Sequence, residues 1–456
     1  MGFFDKILYN LPEVTPPTQK KLSFKEKLKW TLITLVLFYI LGLIPLYGLG
    51  QNALQQFEFL SVILGASFGS IISLGIGPIV TASIVLQLLN GSGIVKFDLT
   101  THEGKRRFQG IQKILSIGFI LLEGGIYVGM GGLAPQAGIP ASILIFQLFL
   151  GGILIMFMDE VISKWGFGSG ISLFIAAGVS QTIFLRMLNP LPSPNNPSIA
   201  SGAIPALFQS LSVGDPQTAM LMIAGILATV LVFMVAVYTQ SMKVEIPLSF
   251  GRIRGHGIRW PLNFFYTSNI PVILTAAFVA NIQLFARLLY NWGFPLFGSF
   301  VGNTPVSGIA ALLYAPNILS HLIVGSFTAS MLLQALVYLL FFMGGSVLFS
   351  YFWVQTAGLD ARSQAKQIMA SGLQIPGFRK DQRVLERLLQ RYIGPLTIMG
   401  GLAVGILAAT ADLTGAFGSG TGILLTVMIV YRLYEEIAQQ HMMDMNPMMR
   451  KFMGRQ

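Results

Sequence analysis

The chain has 456 residues, of which 54% are hydrophobic and only 10% charged, with a net charge of +11 and a mean hydropathy of +0.70. Soluble domains carry about 25% charged residues, so the composition excludes a soluble globular protein. The absence of cysteine excludes a disulfide framework, an iron–sulfur site and thiol chemistry.

Residues 1–27 open with an amphipathic stretch, "GFFDKILYNLPEV", and continue as a Pro-containing basic linker, "TPPTQKKLSFKEK". Such a segment is expected to lie on the cytoplasmic membrane surface. Ten apolar stretches follow, each about 20 residues long and able to cross a hydrocarbon core as a helix. They fall at about 28–48, 75–93, 110–132, 140–161, 169–189, 218–240, 264–288, 327–355, 393–412 and 419–437. The fold class expected is therefore an all-α polytopic membrane protein. Residues 28–200 form its N-terminal half and 201–456 its C-terminal half. Residues 53–70, "ALQQFEFLSVILGASFGS", are too polar at their start for a span and run directly into "LGIGPIVTAS", where two glycines and a proline interrupt an apolar run and are expected to bend the helix that carries them. Two loops, 241–263 and 356–392, exceed the roughly 2–8 residues that a bundle connection needs. An external connection, "NPLPSPNNPSIASGAIPALFQSLSVGDP", is rich in Pro, Ser and Asn.

With both termini cytoplasmic, 27 of the 29 Lys and Arg residues fall on the cytoplasmic side and only Arg186 and Arg287 fall outside. That asymmetry obeys the positive-inside rule, and a miscounted span would scramble it. The two long loops carry Arg with Gly and Pro, which suits either the phosphates of an RNA-rich partner or an acidic lipid surface.

The spans repeat. "IGPIVTASIVLQ" from Ile76 has a counterpart in "NIPVILTAAFVANIQ" from Asn269, and "FGSGISLFIA" from Phe167 has one in "FGSGTGILLTV" from Phe417. Span 2 thus pairs with span 7 and span 5 with span 10, the signature of two inverted five-helix halves. Gly- and Pro-interrupted segments at corresponding positions of such halves point to the functional site. Each carries branched aliphatics close to its interruption. Ile76 and Val80, like Ile171 and Ile175, are spaced i,i+4; Ile270 and Ile273 are spaced i,i+3; Leu424 and Leu425 follow "GSGTG". Such pairs share a helix face and, converging on the pseudo-axis, would form an apolar collar.

A solute transporter, favoured by the inverted repeat, needs ionisable groups near the midplane. Glu123 is the one carboxylate well within a span and lacks a counter-charge at helical spacing; it reads as a lone functional acid or, in preference, as a solvated or snorkelling acid at a wet surface. A structural scaffold would leave the basic loops and the repeated Gly/Pro breaks without purpose. No nucleotide-binding or metalloprotease motif is present, and His102, His256, His321 and His441 do not cluster. Neither an enzyme nor a cofactor is expected. An uncharged collar excludes water and ions until something bulky displaces it, as in a passive conduit driven by a partner.

"LGIGPIVTASIVLQLL", "GFGSGISLFIAAGVSQTIF", "SNIPVILTAAFVANIQLF", "IPGFRKD" and "GSGTGILLTVMIVYRLYE" closely resemble the SecY family, the main subunit of the protein-conducting channel, in its archaeal form. The resemblance extends in order over essentially the whole chain. It implies ten spans in two inverted halves around a central hourglass pore. It makes Ile76, Val80, Ile171, Ile175, Ile273 and Leu425 the pore ring, with Ile270 and Leu424 as substitutes for the last two. It implies a short plug helix at about 57–70, including Phe57, Leu60, Leu64, Gly65 and Ser67. It places a lateral gate between spans 2 and 3 and spans 7 and 8, with Gln87, Gln112, Thr267 and Asn269 as polar members. Arg252, Arg254 and Arg379 become ribosome-docking residues. The partners it implies are the ribosome, a SecE-like clamp subunit, a small Sec beta subunit, signal sequences and nascent polypeptides, and membrane lipids. The localisation it implies is the cell membrane.

Overall fold

The structure is a computed structural model that describes residues 11–18, 22–52, 66–91, 94–95, 97, 101–193, 196–250, 257–267, 270–301, 304–370, 373–374, 381–417 and 419–445. Among them, the first half contains α1 (Phe24–Leu43), β1 (Leu49–Asn52), α2 (Gly77–Gly91), α3 (His102–Gly129), β2 (Leu133–Pro135), α4 (Ala141–Trp165), α5 (Gly170–Leu188), β3 (Pro192–Ser193) and β4 (Asn196–Ala200). The second half contains α6 (Ala203–Val213), α7 (Pro216–Gln240), β5 (Lys243–Phe250), β6 (Gly257–Asn263), α8 (Ile270–Asn291), β7 (Phe300–Val301) and β8 (Thr304–Pro305). It ends with α9 (Gly308–Leu312), α10 (Ile318–Val324), α11 (Ala329–Thr356), α12 (Ala361–Ala370), β9 (Leu373–Gln374), α13 (Gln382–Leu413) and α14 (Gly420–Met445). Among the described residues seven helices are long and apolar enough to cross a membrane, α3, α4, α5, α7, α8, α11 and α13; the other three spans expected fall on α1, α2 and α14, which are shorter or less apolar.

The packing itself repeats. In the first half α1 packs on α4 and α5, α2 on α3, α3 on α4, and α4 on α5. In the second, α7 packs on α13 and α14, α8 on α11, α11 on α13, and α13 on α14, the same scheme five expected spans later. Consecutive membrane crossings alternate in direction, so an offset of five inverts the repeat.

The repeat extends to single hydrogen bonds. The Phe167 amide donates to Thr31 Oγ1 on α1, and the Phe417 amide donates to Thr229 Oγ1 on α7, both at 3.0 Å. Each threonine hydroxyl donates in turn to the carbonyl four residues earlier, that of Lys27 or Gly225. At the start of α5, Asp159 from the end of α4 accepts from the Ile171 amide (2.9 Å) and faces Ser169 Oγ (3.4 Å). At the start of α14, Asp412 from the end of α13 accepts from the Thr421 amide and Tyr338 hydroxyl, both at 2.7 Å, and from the Thr421 hydroxyl. In each "FGSG" the last glycine leaves room for the preceding helix. A Cβ on Gly170 would lie 2.6 Å from Asp159 Cα, and one on Gly420 would overlap the Ala411 backbone.

Several expectations are corrected. "LGIGPIVTAS" is a helix start and does not bend a longer helix, because Gly77 opens α2 and Pro78 sits in its first turn. A proline is tolerated there since the first amides have no intrahelical acceptor. The loop expected at 356–392 is largely helical. Asp381 caps α13 through the Arg383 amide (2.8 Å), and Leu385, Leu389 and Ile393, spaced i,i+4, bury against Ala365 and Ile368 of α12. The span expected at 393–412 is therefore the second part of a 32-residue helix. The external segment likewise contains the helix α6 as well as the β3–β4 hairpin.

Residues 1–10, most of the amphipathic segment, lie outside the described residues, and residues 11–17 are not helical. They run as a strap along α3 and α4. The Val14 amide donates to Glu160 (3.0 Å), Trp165 Nε1 donates to the Thr15 carbonyl (2.9 Å), and Lys113 pairs with Glu160. The Lys164 ammonium hydrogen-bonds Glu13 and holds its carboxyl below the ordinary range.

Thr229→Val should leave the partly buried Phe417 amide without its acceptor, at a cost of about 1 kcal/mol. The expected result is a lower thermal unfolding midpoint in detergent for this variant and an unchanged one for Thr410→Val, whose side chain is exposed.

Candidate functional site

A cavity of about 740 Å³ opens between the halves. Val80, Ile171, Ile270 and Ile273 supply its apolar lining, and Lys27, Lys105, Arg432 and Glu436 its charges. Amphipathic lining of this size fits an apolar chain segment that carries its own backbone polar groups.

Next to the cavity the repeat partners meet, α2 against α8 and α5 against α14. Ile76, Val80, Ile175, Ile273 and Leu425 join one contiguous apolar cluster, none more than 6% exposed. Leu424 belongs to the same cluster, and Ile171 and Ile270 pack on its margin partly buried. The helix starts explain this convergence. Ile76 immediately precedes α2, and the Val80 amide donates to its carbonyl (3.0 Å), so both side chains project from the first turn.

Beside the cluster runs a polar seam. Thr81 Oγ1 on α2 lies 3.1 Å from Glu123 Oε1 on α3 and 2.9 Å from the Gly77 carbonyl, with one proton to share between them. It accepts from Asn281 Nδ2 on α8 at 3.0 Å, which ties the halves together. Glu123 is 1% exposed, and its Oε2 has no hydrogen-bond partner among the described residues. The expected wet surface is thus wrong, because Glu123 faces into the bundle where Thr81 can reach it.

Of the polar gate residues expected, Gln87 and Gln112 line the cavity, and Gln87 Nε2 donates to Ser83 Oγ (2.9 Å). Thr267 is buried and paired with Ser350 Oγ of α11 (3.2 Å). Asn269 lies outside the described residues, as do Phe57, Leu60, Leu64 and Gly65 of the expected plug and all three docking arginines, Arg252, Arg254 and Arg379. Ser67 is described, and its hydroxyl donates to the Gly42 carbonyl (3.1 Å). Thr81 and Asn281 were missed in the sequence. The available signal was that two strongly polar residues in apolar spans, Glu123 and Asn281, each require an internal partner.

The two long loops share one sheet, ordered β6–β5–β9. β5 pairs with β6 from Lys243↔Asn263 to Ser249↔Gly257, and β9 adds Ser249↔Gln374 and Phe250↔Leu373. At the base of the hairpin Lys243 Nζ bonds Glu435 Oε1 of α14 at 2.9 Å, a contact that raises the lysine above its ordinary pKa.

Compared with known proteins, residues 70–434 match the SecY family model. The chain belongs to the SecY family. A second model, the plug domain of Sec61p, matches residues 36–69. The protein translocase subunit SecY of Methanothermobacter thermautotrophicus is 48% identical over 99% of this chain and 98% of its own length. A solved structure of a protein-conducting channel is 44% identical over 96% of this chain and 97% of its own, with a TM-score of 0.84. Sec61 in the canine ribosome-channel complex from the endoplasmic reticulum matches at 44% identity over the same shares, with a TM-score of 0.80. This SecY chain is a multi-pass membrane protein and a subunit of a protein-conducting channel.

Thr81→Val should leave Glu123 and Asn281 without their shared partner. The expected outcome is faster hydrogen–deuterium exchange in α2 and α8 around residues 81 and 281, with the amides of α13 unchanged.

Proposed function

We propose that the apolar cluster is the gasket of the channel and the seam beside it the lateral gate. A signal sequence or nascent apolar helix enters between α2 and α3 on one side and α8 and α11 on the other. It moves the plug aside and threads Ile76, Val80, Ile171, Ile175, Ile273 and Leu425. Branched aliphatics mould around whatever chain passes and leave no polar wall along which ions could follow. Secretory chains go through, and sufficiently apolar segments partition sideways into lipid. The observation that carries this reading is the burial of ring residues from both inverted halves in one cluster beside an amphipathic cavity.

The chain itself does no bond-making chemistry in this scheme, and a partner supplies the energy. The ribosome suits that role, since the likeness to Sec61 of a ribosome-channel complex joins the basic loops around β5, β6 and β9. Arg252, Arg254 and Arg379 would contact RNA phosphates through their planar guanidinium groups. With the loops cytoplasmic, both termini are cytoplasmic too, as the charge asymmetry requires. A SecE-like clamp helix and a small Sec beta subunit complete the assembly in the cell membrane.

Replacing Ile76, Val80 and Ile175 together by glycine should make reconstituted channels leak ions at rest; unchanged resting conductance would refute the gasket. Arg254→Glu combined with Arg379→Glu should abolish co-sedimentation with ribosomes at physiological salt while channel assembly persists. Retained binding would remove these arginines from the docking surface.

A further inference from the structure

The segment matched by the plug model leaves α1 and returns to α2 through a closed neck. After α1 ends at Leu43, the Leu46 amide donates to the Gly69 carbonyl (2.9 Å) and the Ile71 amide to the Ile44 carbonyl (3.0 Å). Pro45 and Ser70 therefore stand opposite one another as an isolated antiparallel pair. Serine hydroxyls brace the returning strand. Ser70 Oγ donates to the Ser67 carbonyl (2.7 Å), and Ser73 Oγ accepts from the Gly69 amide (2.8 Å). Ser70 and Ser73 are 4% and 0% exposed.

One helix holds both strands of this neck. Gln147 on α4 accepts from the Tyr47 amide (2.9 Å) and donates to the Tyr47 carbonyl (3.0 Å), a two-bond clasp on the outgoing strand. One turn later on the same face, Gly151 leaves the space occupied by the Ile71 carbonyl of the returning strand, where any Cβ would overlap that oxygen. Nothing in the local packing of α4 demands this, since Gly152 answers separately to Ile120 of α3.

We infer that the neck formed by residues 44–47 and 69–71 stays closed on α4 throughout transport, with Gln147 and Gly151 as positioning residues for the plug. This rests on the reading of the enclosed segment as the plug. The strands that enclose the segment then do not unzip from each other, and α4 is their guide.

The absence of native cysteine makes the neck directly testable. Pro45 and Ser70 form a non-hydrogen-bonded antiparallel pair, whose Cα atoms stand about 4.5 Å apart, within disulfide range. In the assembled channel in lipid vesicles, Pro45→Cys with Ser70→Cys should translocate a ribosome-bound secretory chain equally well oxidised and reduced. Loss of translocation on oxidation, restored by reductant, would overturn the closed neck. Independently, Gly151→Ala should raise resting ion leak about tenfold, equivalent to ~1.4 kcal/mol, with translocation and ribosome binding retained. Gly118→Ala on α3, where a Cβ meets nothing, should seal like the parent. A Gly151→Ala channel that also seals like the parent would remove α4 as the guide. Deletion of residues 53–65 separates the two readings. If the deletion leaks while Gly151→Ala does not, only the neck inference fails; if the deletion seals like the parent, the plug reading fails with it.

Discussion

A helix whose first turn is packed against the preceding helix must find acceptors for its first amides on that neighbour, because the contact keeps water from them. The SecY chain meets this demand at α5 and α14 with a carboxylate from the end of the preceding helix, Asp159 or Asp412. That arrangement requires the two backbones to touch, and only glycine at 170 and 420 permits it. Capping, glycine placement and helix direction are thus one solution used twice. They fix α4 to α5 and α13 to α14 as rigid corners, and these corners bring α5 against α14 at the junction of the halves.

The interior of each half and the seam between the halves are built differently. Within halves, glycines let helices approach closely, as at Gly152 against Ile120 and at Gly405 against the Phe342 carbonyl. Between halves at α2 and α8, aliphatic side chains meet, with one hydroxyl, that of Thr81, shared by Glu123 and Asn281. Interhelical hydrogen bonds in membranes are worth about 0.6 kcal/mol on average. A seam of that kind specifies how the halves register without locking them. The sequence of strengths, firm corners inside each half and a lighter seam between α2 and α8, suits the proposed lateral gate.

Much of this architecture was readable in the sequence. The many helical spans, their inverted pairing and the aliphatics of the buried cluster followed from hydropathy, charge asymmetry and the paired "FGSG" and Pro motifs. The misreadings have a common physical origin. A glycine and proline in an apolar run look the same whether a helix bends or begins, and which occurs at Gly77 depends on tertiary space beside it. The helical start of α13 is amphipathic, so hydropathy alone cuts it at 393, although Leu385 and Leu389 repeat at helical spacing toward α12. Glu123 was misplaced because its partner Thr81 lies 42 positions away, and a hydrogen bond across two helices has no local signature.

The sheet that joins the two basic loops has a mechanical consequence. β9 directly follows α12, which packs on the first turns of α13. At about 1.5 Å per residue, α13 reaches some 48 Å. Its far end presents Asp412 to the start of α14, the helix that bears Leu425 and is also gripped by Lys243 of the hairpin through Glu435. A large body resting on those loops therefore bears on a long beam and on a shorter strut that meet in the same helix. Under the docking proposed above, tilting of such a body would become a torque on α14, the helix that bears Leu425.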